Sequence, residues 1–122
     1  MSDILVADDD ANVLASTADI LSLAGFSVAV EAGAEAVLGA LRRERPRLVL
    51  HDYRMPGLDI AAQLARLRAE PAVQGTWFVL FTCSGIGREA AMRLGVDDLV
   101  EKPFDAGDLV ARCRAFLARP RQ

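Results

Sequence analysis

The sequence predicts a doubly wound α/β domain, a parallel five-stranded sheet with helices on both faces. Three observations lead there. Five short apolar runs alternate with five stretches of helical period; several runs are apolar at consecutive positions, as strands covered on both faces are; and 122 residues leave no room for a second folded domain. The reading is one domain over residues 1–122.

Each element has its own signal. The first run, Ile4 to Ala7, meets the acidic triplet Asp8-Asp9-Asp10, where Asp10 can cap a helix carrying Leu14, Ala18 and Leu21 on one face and closing at Gly25. Phe26 to Val30 is the second run, and Ala34, Val37, Leu38 and Leu41 form the next stripe, with Pro46 after it. Leu48 to Leu50 is followed by His51, Asp52 and the tight turn Met55-Pro56-Gly57; Ile60, Leu64 and Leu67 then make a third stripe that ends before Pro71. Trp77 to Phe81 is the fourth run. A short helix near Arg88 to Leu94 lies between Gly87 and Gly95, and Leu99 to Val100 is the weakest strand. Asp105 and Asp108 suit the start of a last helix whose stripe is Leu109, Cys113 and Phe116.

Fourteen basic and seventeen acidic residues give a net charge of −3, too acidic and too evenly mixed to hold nucleic acid by charge alone. No apolar run is long enough to cross a bilayer, and Met1-Ser2-Asp3 lacks the basic start of a signal peptide, so the expected place is the cytoplasm. Cys83 and Cys113 have neither metal-knuckle nor disulfide-scaffold spacing and read as reduced thiols. Lysine occurs once, at Lys102, among thirteen arginines.

In doubly wound sheets ligands bind beyond the carboxyl ends of the strands. Those ends deliver Asp8 and Asp9, Asp52, Thr82 and Lys102 to one edge. Two carboxylates about 4 Å apart repel by roughly 4 kcal/mol at an effective dielectric near 20, so three of them call for a cation. Lys102 and a divalent metal would supply it, and an all-oxygen set with few protein ligands suits Mg²⁺. Carboxylates, Mg²⁺, a hydroxyl and a lysine make a phosphoryl-transfer site. Asp52 is the candidate nucleophile, Asp8 and Asp9 the metal ligands, Lys102 the partner of the phosphoryl group, and Thr82 a hydrogen-bond donor to it.

At these residues the sequence resembles the response-regulator receiver domain of two-component signalling. The resemblance spans the chain: Val6-Ala7-Asp8-Asp9-Asp10, Asp52 with Met55-Pro56-Gly57, Thr82, and Lys102-Pro103-Phe104. It implies a flavodoxin-like fivefold βα fold of strand order 2-1-3-4-5. It also implies phosphorylation of Asp52 from a phosphohistidine of a sensor kinase or histidine phosphotransfer protein, and a downstream output protein or domain. The metal ligands map to Asp9 and Asp52, to Asp8 through water and to the Arg54 backbone carbonyl. The Lys102–Pro103 bond is often cis in the family. Such a domain is not an enzyme beyond self-phosphorylation and self-dephosphorylation, and the face of the fourth helix, fifth strand and fifth helix can serve a homodimer.

Three positions depart from the family pattern. Leu99 stands where an aromatic switch residue is expected, which leaves open a second reading, a protein-interaction module that works without phosphorylation. Ile60 stands where glycine is common and Cys83 where a smaller residue is usual; both would narrow access to the phosphoryl group. Arg54, beside the entrance, would contact that group or lie in solvent. A hydrolase of the haloacid dehalogenase type wants a second acid two residues after the nucleophile, and Asp52 is followed by Tyr53-Arg54. His51 alternates to the opposite face from Asp52 and is not read as catalytic. The arginines at 42, 43, 45, 47, 112, 114, 119 and 121 read as solvated helix ends and faces.

Overall fold

A computed structural model describes residues 1–82 and 85–120. Its strands are β1 (Ile4–Ala7), β2 (Val28–Glu31), β3 (Leu48–Asp52), β4 (Trp77–Thr82) and β5 (Asp98–Glu101). Its helices are α1 (Ala11–Leu23), α2 (Val37–Glu44), α3 (Ile60–Arg68), α4 (Arg88–Arg93) and α5 (Ala106–Leu117), with single 3₁₀ turns at Ala34–Ala36 and Pro71–Val73. All neighbouring strands are parallel and their order is β2-β1-β3-β4-β5.

Two apolar layers cover the sheet. Leu5, Val49, Phe78 and Leu80 pack against Val37 and Leu41 of α2, Leu64 and Leu67 of α3 and Ala91 of α4. Ile4, Val6, Leu50, Val79 and Phe81 pack against Leu14 and Leu21 of α1 and Leu109, Cys113 and Phe116 of α5. Alternation along each strand sends successive residues to opposite layers, which is why the central runs are apolar throughout. Burial pushes the Cys113 thiol up to about 12, so it is an inert core residue.

The helix boundaries follow from local chemistry. The Asp10 carboxylate accepts from the Asn12 and Val13 amides at 2.9 and 3.2 Å, satisfying two donors the first turn of α1 cannot. At the other end Gly25, at φ +101°, lets its own amide reach the Ser22 carbonyl and the Phe26 amide reach that of Leu21. Phe26 is thus spent on closing α1, and the second strand begins at Val28, two residues later than its apolar run suggests. Asp105 caps α5 by accepting from the Asp108 amide at 2.8 Å.

Three other expectations are revised. β3 runs through Asp52, because Asp52 still pairs with Phe81 of β4. Ile60, the first residue of α3, packs toward the apolar layer rather than over the carboxyl edge of the sheet, so it does not narrow the site. Arg42, Arg43, Arg45, Arg114 and Arg119 are exposed as expected, but Arg47 and Arg112 are half-buried: Arg47 donates to the Leu117 carbonyl, and Arg112 reaches both Asp98 and Asp108. Cys83 and Arg121 lie outside the described residues.

Candidate functional site

The order of strands puts the change of winding direction between β1 and β3, which opens a crevice beyond their carboxyl ends. Asp8 follows β1 directly and Asp52 ends β3, so the two acids face each other across it. Met55-Pro56-Gly57 turns the chain away behind Asp52: Leu58 donates to the Met55 carbonyl at 3.0 Å, and Gly57 at φ +72° supplies the conformation this turn requires at its third residue. Thr82 closes β4. Its carbonyl accepts from the Lys102 amide at 2.7 Å, which places the lysine beside the acids.

The resulting cleft, about 460 Å³, is lined by Asp8, Asp9, Asp10, Asp52, Arg54, Thr82 and Lys102. Carboxylate oxygens of Asp8, Asp9 and Asp52 lie within 4.8 Å of one another. Lys102 Nζ donates to Asp8 Oδ2 at 2.6 Å and to Asp52 Oδ1 at 3.2 Å, and stands 5.1 Å from the centre of the Phe81 ring. The Lys102–Pro103 peptide is cis. Asp8 is fully buried and its second oxygen accepts from the Asp10 amide at 3.0 Å, whereas Asp9 is exposed. All six residues expected at the site therefore meet in it.

Electrostatics distinguish the members. Burial, then the Asp8 charge, push the Asp52 carboxyl up to about 6, against the pull of Lys102. Burial also opposes the charge on Lys102, but the hydrogen bond to Asp8 and the charges of Asp52 and Asp8 outweigh it and hold the ammonium above its ordinary range. His51 is buried on the other side of the sheet, where desolvation lowers its pKa and keeps the ring neutral.

Leu99 lies away from the cleft, 5% exposed, in the layer shared with Ala91 and Val96. Beside it lies a set of ion pairs that includes Arg112, which was expected in solvent. Asp98, on β5, accepts from Arg88 Nη1 of α4 at 2.9 Å and from Arg112 Nη1 of α5 at 3.0 Å. An acid in register with an apolar run was the signal available for this tie. A second network, from Gln63 to His51, joins two polar residues that each look out of place on an apolar face.

The family model for the response regulator receiver domain matches residues 4–114. This chain belongs to that family. It is 36% identical over 116 residues to the transcriptional regulatory protein PrrA of Mycobacterium bovis, a match covering 95% of this chain and 50% of that one. Among solved structures, the receiver domain of NtrX from Brucella abortus superposes with a TM-score of 0.86 at 30% identity, covering 97% of this chain and 100% of that one. A CheY-like receiver domain protein from Methanospirillum hungatei gives 0.82 at 26% identity, covering 93% and 91%. The receiver chain spans about half the length of the transcriptional regulators it matches. Members of the family are not enzymes in the ordinary sense, and response regulators work with kinases and output domains. No helix among the described residues is long and apolar enough to cross a membrane.

Proposed function

We propose that this receiver is phosphorylated on Asp52 by a phosphohistidine of a sensor kinase or histidine phosphotransfer protein, in the cytoplasm and with Mg²⁺, and that the phosphorylated form switches a protein-interaction face. The observation that carries the reading is the Lys102 ammonium lodged between Asp8 and Asp52 in a cluster of three carboxylates. An Asp52 oxygen attacks phosphorus, the P–N bond breaks, and the imidazole leaves with the bonding pair. At neutral pH Asp52 is mostly ionised and available for that attack, since its pKa is about 6.

The donor set fits a hard, oxygen-seeking cation: three carboxylates at close range, one of them exposed to admit water and phosphoryl oxygen. Asp8, Asp9, Asp52 and the Arg54 carbonyl would hold Mg²⁺, with Asp8 acting through water. When bound, the ion neutralises charge on the transferring phosphoryl oxygens. Lys102 exchanges its contact with Asp52 for a phosphoryl oxygen, the Thr82 hydroxyl donates to another, and the exposed Arg54 guanidinium closes over the group from the rim. The output is carried by a downstream protein or domain. The face of α4, β5 and α5, which carries Arg88, Asp98, Asp108 and Arg112, can also pair two copies.

Leu99 favours a second reading. Without an aromatic ring there, the domain would act as a binding module that needs no phosphorylation. Intact-mass measurement after incubation with Mg²⁺ and a small acyl-phosphate donor separates the two. One phosphoryl adduct, absent in Asp52→Asn, is the expected result. No adduct supports the binding module, and rapid turnover of unrelated phosphate esters indicates a hydrolase.

A further inference from the structure

The register of β1 with β3 ends at Ala7 and His51, so no β1 residue stands opposite Asp52. Its carbonyl is met instead by the ring of His51, which is 1% exposed and places Nδ1 2.8 Å from that oxygen. A carbonyl only accepts, so Nδ1 carries the proton. Nε2 is then the acceptor, and the Gln63 amide nitrogen lies 3.3 Å from it. Gln63 is itself fixed in one orientation: its amide nitrogen also donates to the Ala34 carbonyl at 2.9 Å, and its oxygen accepts from Arg66 Nη2 at 2.9 Å. Every polarity agrees along the path from Arg66 to the Asp52 carbonyl.

We infer that His51 is a positioning residue. Held in the Nδ1–H tautomer by Gln63, it pins the backbone where β3 gives way to Tyr53 and Arg54. It thereby sets the spacing between the Asp52 carboxylate and the Arg54 carbonyl. An imidazole in an apolar layer is costly unless both nitrogens are satisfied, and here both are used to hold one carbonyl of the phosphoacceptor. The ring faces α3 while the Asp52 side chain faces Lys102, so His51 acts through the backbone and exchanges no proton with the phosphoryl group. The inference rests on the phosphorylation reading given above.

The test compares the wild type with His51→Phe, Gln63→Met, the double variant and His51→Asn, whose Nδ2 takes the place of the histidine Nδ1. Mg²⁺ affinity is measured by calorimetry, adduct formation by intact mass at saturating Mg²⁺, and folding by circular dichroism. In folded His51→Phe both affinity and adduct rate fall about tenfold. Gln63→Met shows a smaller fall in the same two quantities, the double variant is no worse than His51→Phe, and His51→Asn recovers most of the loss. Values for His51→Phe within about twofold of wild type, or losses that add in the double variant, overturn the inference. If His51→Phe does not fold, Gln63→Met decides: an unchanged Mg²⁺ affinity overturns it. If the wild type forms no adduct, the phosphorylation reading fails, and Mg²⁺ affinity alone supports or overturns the role of His51.

Discussion

Asp52 carries the tension of the site. The fold holds its carboxyl at about 6, above the ordinary 3.8, through burial and the neighbouring Asp8 charge. Between those two values the folded state keeps a proton that the unfolded chain has released. Stability contributed by Asp52 is therefore greatest below about pH 4, falls as pH rises toward 6, and stays low above it. Removing the charge removes that cost. In chelator, Asp52→Asn is expected to exceed the wild type in urea denaturation by on the order of 1 to 3 kcal/mol at pH 7.5, with the gap closing below pH 4. His51 works in the opposite direction, losing stability on acidification, but both proteins retain it and its contribution cancels in the comparison. A gap of equal size at both pH values contradicts the account. At this scale the sequence showed the four strand-end positions, because each acid, hydroxyl or amine stands within two residues of the end of an apolar run. It concealed the His51–Gln63 contact, since neither residue type announces a partner twelve positions away on another element.

Among the elements, caps and turns were readable because their chemistry is local. Asp10, Gly25, Asp105 and the Met55-Pro56-Gly57 turn all act within a few residues of themselves. The start of β2 and the extent of β3 were not, because one depends on how α1 closes and the other on what β4 offers alongside. Two glycines separate these influences. A Cβ on Gly25 or on Gly39 meets nothing within 4 Å, so the same substitution tests backbone conformation alone at both. Gly25→Ala, at φ +101°, is expected to lose about 1 to 2 kcal/mol. Gly39→Ala, exposed inside α2, is expected to gain about 0.5 to 1 kcal/mol. Chemical denaturation of the two variants gives opposite signs if the boundaries are as described.

For the whole molecule, the strict βα alternation sufficed to predict a parallel doubly wound sheet, and the resemblance supplied the order that the structure shows. Asp98 beside an apolar run was a visible signal, but its arginine partners on α4 and α5 were out of reach, because they depend on how two helices approach β5. Binding at the acidic cluster is linked to global folding. A ligand at about 100 times its dissociation constant stabilises the folded state by about 2.7 kcal/mol. Mg²⁺ is therefore expected to raise the unfolding temperature by several degrees over sodium chloride of equal ionic strength. Asp9→Asn, at an exposed position, is expected to abolish most of that shift while leaving the fold intact. A Mg²⁺ shift equal to that of the wild type would exclude Asp9 from the metal site.

Lys102 is the chain's sole lysine, and its amine sits 2.6 Å from Asp8 at the centre of the cleft. Reductive methylation keeps the positive charge of an amine. With ¹³C-formaldehyde it would label one side chain here, apart from the α-amino group. The carbon resonance of that side chain would then report, without mutagenesis, which oxygen the ammonium faces at each stage of phosphorylation.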